Sequence, residues 1–238
     1  MADSSGVLYL IPCPIAEDGL STLPSATIDV ARKLEFFIVE RAKSARQFLK
    51  KIGHPLPMAQ IHMHEIASVQ IENIDFLFHL TLGKSMGVLS EAGNPCIADP
   101  GNIAVQYAHS KGIKVVPLVG PSSILLALIA SGFNGQNFSF SGYLSNKKPE
   151  LKIQLKKLES IVEQTSQTQI FMETPYRVPF ILEGLLTTLK PNTRLCIAGD
   201  VTGEGEIIQQ KTIAKWKIDG FERFIKKPCI FILGKETF

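Results

Sequence analysis

The sequence predicts an α/β protein made of two α/β domains, with a mostly parallel sheet in the first domain and a mixed sheet in the second. In the first half, short apolar β-prone runs alternate with helical runs, the pattern of a parallel sheet covered on both faces. After a Gly- and Asn-rich turn near residue 135, strands follow one another with fewer helices between them. We therefore expect domains at residues 1–135 and 136–238.

The elements of the first domain follow from hydrophobic spacing and from residues that begin or end helices. Pro24 fits the first turn of a helix, and Gly53 and Gly112 fit the position after the last turn. The predicted strands are 6–11, 36–40, 86–90 and 114–119, and the predicted helices are 23–34, 43–52, about 71–82, 102–111 and 122–131.

The second domain is predicted to have more strands than helices. The strands are 138–144, 169–173, 194–200, 207–212 and 229–233, with a lysine-rich helix after the first strand and a helix at 179–189. In the lysine-rich segment, apolar residues recur at helical spacing. They are Leu151, Leu155, Leu158 and Val162.

The composition is that of an ordinary globular chain of 238 residues, 45% apolar and 20% charged. Four cysteines, at 13, 96, 196 and 229, form no C-x-x-C pair, so we expect reduced thiols. His62 and His64 share one face of an extended segment, but no third ligand accompanies them and no metal site is predicted.

The first apolar run is short and ends in prolines, and the helical run 124–130 is far short of the roughly 20 residues of a membrane span. We expect a cytoplasmic protein without membrane association.

Charge is unevenly distributed along the chain. Residues 1–136 carry 10 basic and 11 acidic side chains, whereas residues 137–238 carry 15 and 11. Much of the excess is Lys147, Lys148, Lys152, Lys156 and Lys157. Such a run is either the solvated face of a helix or a surface that contacts the phosphates of a nucleic acid.

Familiar nucleotide-binding motifs are absent from the sequence. Gly83-Lys84-Ser85 lacks the first P-loop glycine, because position 78 is Phe78, and no G-x-G-x-x-G occurs. Instead, three strands of the first domain end in small residues, at 12–14, 90–95 and 120–123. Because ligands of α/β proteins bind at the carboxyl ends of parallel strands, we expect these loops to form one ligand site.

Six stretches carry a resemblance to a known family: LYLIPCPI, VLSEAGNPCIADPG, GIKVVPLVGPSSILLALIASG, FSFSGYLSNKK, QIFMETPYRV and KKPCIFILGK. They lie in the family's order between about residues 6 and 235. The chain resembles the tetrapyrrole methylase-like S-adenosylmethionine-dependent methyltransferases, and most closely the ribosomal RNA small-subunit methyltransferase I group, which 2′-O-methylates a cytidine of 16S RNA. The resemblance implies S-adenosylmethionine bound in a cleft between two α/β domains, a ribosomal RNA substrate and a homodimer.

The resemblance also implies which residues contact the cofactor, most of them through backbone groups. In the first domain these are Glu91, Ala92, Gly93, Asn94, Ile97, Ala98, Ser122 and Ser123, and in the second they are Met172, Ala198 and Cys229. The chain departs from the family after its second strand. There VERAKSA places Arg41, Lys43 and Ser44 where the family's A-E-D-T-R-H-T has Asp, Arg and His.

Methyl transfer from a sulfonium depends mainly on holding the acceptor in line with the donor. A ribose hydroxyl also benefits from a general base, and Glu40 and Asp99 are the predicted catalytic residues. Asp99 is alternatively an N-cap for the next helix, and His62 and His64 are alternatively bases or packed imidazoles. Three functions stay open: a nucleic-acid 2′-O-methyltransferase, a methylase of a small molecule such as a tetrapyrrole, and a non-catalytic cofactor-binding relative.

Overall fold

The computed structural model describes residues 6–66 and 74–235. The chain divides into two compact units, Met1–Ser122 and Ser123–Phe238. The division falls earlier than the predicted boundary after residue 135. The reason is the helix Ser123–Ser131, which contacts three strands of the second sheet and so belongs to the second unit.

The first unit is built on a parallel sheet of five strands in the order β3-β2-β4-β1-β5. Its elements are β1 Val7–Ile11, α1 Ser25–Ala31, β2 Phe36–Val39, α2 Ala42–Lys51, β3 His62–Glu65, α3 Ile74–Thr81, β4 Met86–Leu89, α4 Asn102–Ser110 and β5 Lys114–Pro117. The predicted parallel sheet is confirmed, with β3 as an additional edge strand. The start of the helix predicted near residue 71 lies outside the described residues.

Two apolar layers cover this sheet, one on each face. Phe37 and Val39 of β2 point into the layer formed with α1 and α2, whereas Phe36 and Ile38 point into the layer formed with α3 and α4. The alternation follows from the period of two residues in a strand. Every residue of β2 and β4 is buried, as expected for strands inside a sheet covered on both faces.

The strand order brings the carboxyl ends of β4, β1 and β5 side by side. Leu10 of β1 lies opposite Val88 of β4 on one side and Pro117 of β5 on the other. All three strands run in the same direction, so the loops that follow them leave the same edge of the sheet. The predicted meeting of the three loops is confirmed.

The second unit contains a mixed sheet of five strands in the order β6-β7-β10-β8-β9. Its elements are α5 Ser123–Ser131, β6 Phe138–Tyr143, α6 Lys148–Thr165, β7 Thr168–Glu173, α7 Val178–Thr188, β8 Arg194–Gly199, β9 Ile207–Thr212, α8 Ile213–Asp219 and β10 Cys229–Gly234. The β6–β7 pair is parallel and the other three pairs are antiparallel, so the predicted mixed sheet is also confirmed.

The two faces of the second sheet pack against different helices. Ile230 and Ile232 face α5, whereas Phe171 and Phe231 stack with ring centroids 5.3 Å apart in the layer formed with α6, α7 and α8. Across residues 6–66 and 74–235, no helix is long and apolar enough to span a bilayer.

Candidate active site

Backbone and side-chain hydrogen bonds join the three loops at the carboxyl edge of the first sheet. Cys13, after β1, and Gly93, after β4, exchange two backbone hydrogen bonds, with N···O distances of 2.8 and 3.1 Å. Asn94 Nδ2 donates to the carbonyl of Pro121, after β5, at 3.2 Å. The loop after β4 is therefore fixed between the other two.

Glycine is required at two points of this arrangement. Gly93 has a φ of +69°, in the left-handed region that residues with a Cβ rarely adopt. A Cβ on Gly120 would lie 2.2 Å from Cγ of Pro12, so only glycine lets the loops after β5 and β1 approach this closely. These two glycines fix the shape of the loops at the carboxyl edge of the first sheet.

The loop after β4 also holds two residues other than glycine in the left-handed region. Cys96 has a φ of 69° and Ala98 a φ of 61°. Each costs roughly 1–2 kcal/mol, and such conformations concentrate at sites that bind ligands. Ala92, Ile97 and Ala98 are exposed. The loop thus presents a fixed backbone with small or apolar side chains at the surface, which suits recognition of a ligand through backbone groups.

Three carboxylates lie in or beside this loop, and two of them are held by neighbours. Glu40, at the end of β2, accepts a hydrogen bond at Oε2 from the backbone N–H of Glu91 at 3.3 Å. Glu91 in turn accepts a hydrogen bond at Oε1 from Ser44 Oγ at 3.0 Å, and its Oε2 lies 3.6 Å from Arg41 Nε. The structure thus brings the predicted catalytic Glu40 and the predicted cofactor residue Glu91 together.

Asp99 is the third carboxylate and is half-buried. Burial raises its pKa to about 6, and repulsion from Glu40 and Glu91 contributes in the same direction. A base whose pKa lies close to neutrality is ionised at pH 7 and still accepts a proton readily. Asp99 does not cap the following helix, since the N-cap position of α4 is Gly101 and no side chain bonds there. The N-cap alternative for Asp99 is therefore wrong.

The thiols near this site are held in the protonated form. Burial, followed by repulsion from Asp99, raises the pKa of Cys13 to about 12 and also raises that of Cys96. Burial likewise raises the pKa of Cys196 and of Cys229 to about 12. All four are free thiols, and none has the lowered pKa of a nucleophilic cysteine.

The histidines pack against phenylalanine rings. His62 stacks on Phe36 with centroids 4.8 Å apart, and His64 stacks on Phe76 at 5.2 Å. These contacts favour the packed-imidazole alternative for both histidines. Among the residues that the structure describes, no group of three or more His, Cys, Asp or Glu side chains is arranged to hold a metal ion.

The residues predicted to contact the cofactor in the second unit lie at one end of its sheet but on both faces. Met172 of β7 and Ala198 of β8 both lie opposite Ile230 of β10, and all three belong to the layer that faces α5. Cys229 points to the other face, into the layer of α6, α7 and α8. The sheet therefore separates the Cys229 side chain from Met172 and Ala198. A ligand beside those two residues would contact Cys229 through its backbone.

The two predicted serines stand at the division between the units. Ser122 is the last residue of the first unit and is half-buried, and Ser123 is the first residue of α5 and is also half-buried.

Sequence reasoning did not assign a role to Arg41 or Ser44, which contact Glu91. The sequence could have indicated both residues, because both positions depart from the family pattern. Sequence reasoning also did not predict the conformation of the loop after β8, where Asp200 and Thr202 have φ values of 53° and 70° and Lys227 Nζ lies 3.6 Å from Asp200 Oδ2. Nothing in the pattern DVTGEGE predicts a left-handed backbone at residues other than glycine.

Comparison with known protein families gives a match over most of the chain. Residues 17–216 match the family model described as Tetrapyrrole (Corrin/Porphyrin) Methylases. This range includes β2 to β9 and the loops after β4 and β5 that form the candidate site.

Curated relatives are similar over nearly the whole chain. A protein of Vibrio cholerae named Ribosomal RNA small subunit methyltransferase I is 30% identical over 88% of this chain and 69% of its own length. Proteins of the same name from Haemophilus influenzae and Bacillus subtilis are each 29% identical, over 99% and 96% of this chain and 81% and 70% of their own lengths.

Solved structures with the same fold include a diphthine synthase, with a TM-score of 0.69 and 13% identity, over 98% of this chain and 91% of that one. A uroporphyrin-III-C-methyltransferase from Thermus thermophilus matches with a TM-score of 0.55 and 17% identity, over 97% of this chain and 93% of that one. At these identities the likeness concerns the fold alone.

Proposed function

We propose that this chain, which belongs to the tetrapyrrole (corrin/porphyrin) methylase family and is a methyltransferase, transfers a methyl group from S-adenosylmethionine to the 2′-hydroxyl of a ribose in ribosomal RNA. The observation that supports a hydroxyl acceptor is the state of Asp99. Its half-buried carboxyl, with a pKa raised to about 6, lies in the loop that joins all three strand ends.

The residues of the first unit fit S-adenosylmethionine. Gly93, Cys96 and Ala98 hold left-handed conformations, and the backbone at Gly93 is fixed by Cys13, so the loop has a set shape. Ile97 is 48% exposed and offers apolar surface to an adenine ring. We assign cofactor contact to Glu91, Ala92, Gly93, Asn94, Ile97, Ala98 and Ser122 here, and to Ser123, Met172, Ala198 and Cys229 in the second unit.

The bound cofactor supplies a methyl group already activated on a sulfonium. The protein must hold the acceptor oxygen in line with that methyl group, and orientation contributes roughly 7–11 kcal/mol in such reactions. As the oxygen–carbon bond forms and the carbon–sulfur bond breaks, the hydroxyl proton passes to the Asp99 carboxylate. General-base assistance of this kind contributes about 10²–10⁴-fold. Glu40, the other predicted catalytic residue, also holds the loop, because its Oε2 accepts a hydrogen bond from the Glu91 N–H.

The exposed lysines of α6 support the choice of RNA as acceptor. Lys147 and Lys148 form ion pairs with Glu150 and Glu183, at 3.0 Å each. Lys152, Lys156 and Lys157 are also exposed on this helix, and such cations attract a phosphate backbone. By likeness to the family, we also infer that the protein acts as a homodimer in the cytoplasm.

The test is incubation with S-adenosylmethionine labelled at the methyl group and one of three acceptors. These are small ribosomal subunits from a strain that lacks the gene, transfer RNA from the same strain, and uroporphyrinogen III. We expect label in ribosomal RNA alone. Label in the tetrapyrrole would overturn the proposal in favour of a small-molecule methylase. If calorimetry detects no binding of S-adenosylmethionine, the chain is a relative without this activity.

A further inference from the structure

We propose that Arg41 and Ser44 are positioning residues, which hold the Glu91 carboxylate against the first turn of α2 and so leave Asp99 as the proton acceptor of the site. This inference rests on the proposed function for its catalytic meaning. Its structural content, that Glu91 is held by α2, is testable in the protein without substrate.

Both oxygens of Glu91 are engaged by α2 or the residue before it. Ser44 Oγ lies 3.0 Å from Oε1, and Arg41 Nε lies 3.6 Å from Oε2. Arg41 is the N-cap of α2 and Ser44 lies in its first turn. A carboxylate is also favoured there by the helix dipole.

Glu91 is bonded to the end of β2, and the start of α2 is bonded to the end of β3. The Glu91 N–H is bonded to Glu40 Oε2 at the end of β2, and the N–H of Ala42 donates to Glu65 Oε1, at the end of β3, at 2.5 Å. The start of α2 is thus fixed between β2 and β3. It is a stable support on which Glu91 can be held.

The position of the Glu91 charge matters because the site contains several acidic groups. Asp99 is faced by Glu40 from the end of β2, by Glu91 and the Cys96 thiol from its own loop, and by the Cys13 thiol after β1. The two thiols are neutral in the working pH range, since the pKa of each is raised. The two glutamates are therefore the charges that repel an ionised Asp99.

Release of Glu91 would let its charge approach Asp99 and would remove the compensating guanidinium. Both changes make Asp99 harder to ionise. Arg41 is 72% exposed and Glu91 is 37% exposed, so solvent screens the pair and the effect is modest. We expect a shift of about half a pH unit in the titration of Asp99.

The experiment follows the Asp99 carboxyl by NMR in the full chain labelled with ¹³C at aspartate carboxyls, with Asp99→Asn used to assign its signal. Ser44→Ala removes the hydroxyl without changing any charge, and Arg41→Gln removes the guanidinium. Both variants should raise the Asp99 midpoint, whereas Glu91→Gln should lower it. Lys43→Gln is the matched control, because it removes a positive charge from the exposed face of the same helix.

The decisive comparison repeats Ser44→Ala and Arg41→Gln in the Glu91→Gln background, where no carboxylate is left to hold. The inference predicts that the Ser44→Ala shift disappears and the Arg41→Gln shift shrinks. Equal shifts in both backgrounds, or an Arg41→Gln shift no larger than that of Lys43→Gln, would overturn it. The pH profile of methyl transfer should move with the NMR midpoint. An NMR shift without a matching change in the profile would leave Glu91 held as inferred and remove Asp99 from catalysis.

Discussion

Cys13 and Gly93 exchange two backbone hydrogen bonds, so the loop after β4 is joined to the end of β1 by a short antiparallel bridge. This bridge fixes the part of the loop that precedes Cys96 and Ala98, its two left-handed residues other than glycine. The candidate cofactor surface is therefore held in place by the edge of the sheet and is not an independent loop.

Substitution of Gly120 should disturb this edge. Gly120→Ala places a Cβ against Pro12, and we expect a loss of about 1–3 kcal/mol in the free energy of unfolding. Affinity for S-adenosylmethionine should fall as well, because the loops after β1 and β5 must separate. Urea unfolding and calorimetry measure the two effects. Gly135→Ala is the control, since a Cβ there meets nothing within 4 Å. If the two variants are equally stable, the close approach of Gly120 to Pro12 is contradicted.

Removal of Asp99 should abolish the general base. Methyl transfer by the unaltered protein should fall as the pH drops through about 6, because a carboxyl with a raised pKa is protonated below that value. Asp99→Asn should lower kcat by about 10²–10⁴-fold and remove this pH dependence. The measurement is kcat between pH 5 and 9, with the exposed Asp75→Asn as a matched control. A normal rate in Asp99→Asn would assign the proton to another group.

The stability of the fold should depend on the ion pair between the buried Glu173 and Arg177. The side chain of Glu173 has no exposed area, and its Oε2 lies 3.1 Å from Arg177 Nη2, which also donates to the carbonyl of Leu144 at 3.0 Å. Arg177→Met should therefore cost about 3–5 kcal/mol in the free energy of unfolding, since an uncompensated carboxylate stays buried.

The control for this prediction is Glu173→Gln combined with Arg177→Met. Removal of the buried charge should restore much of the lost stability in urea unfolding. A double variant as unstable as Arg177→Met alone would show that the loss comes from the Leu144 contact or from packing.

The lysines of α6 should contribute to RNA binding. Replacement of Lys152, Lys156 and Lys157 by Gln should weaken binding to small-subunit RNA and reduce the slope of log K against log salt by about 0.7 for each lost single-strand phosphate contact. Fluorescence anisotropy at several salt concentrations measures both. The control is the same substitution at the exposed Lys111, Lys114 and Lys217. Equal losses in the two sets would indicate general charge attraction, and no loss would identify a solvated helix face.

The sequence predicted the sheet edge better than the arrangement of side chains around it. Gly, Pro and Asn at the ends of β1, β4 and β5 mark loops through local backbone chemistry, and parallel topology then places these loops together. The strand β3, with the sequence HMHE, was predicted only as an extended segment and not as a strand of the sheet. It lacks a run of apolar residues because it is an edge strand with only one neighbour.

Contacts between residues distant in sequence were beyond reach. Ser44 and Glu91 are 47 residues apart, and only the pairing of β2 with β4 brings them together. Similarly, α5 follows the last strand of the first sheet in sequence, yet its apolar residues pack on the second sheet. Hydrophobic spacing predicts that such a helix has an apolar face, but it does not specify which sheet that face covers.

The most direct test of the central claim is the alkali resistance of the methylated product. A 2′-O-methyl group blocks the hydroxyl that attacks the neighbouring phosphate, so labelled RNA should yield label in alkali-resistant dinucleotides after complete hydrolysis. The account predicts this result for small-subunit ribosomal RNA incubated with labelled S-adenosylmethionine, and its loss in Asp99→Asn. Label found in mononucleotides would place the methyl group on a base and would contradict it.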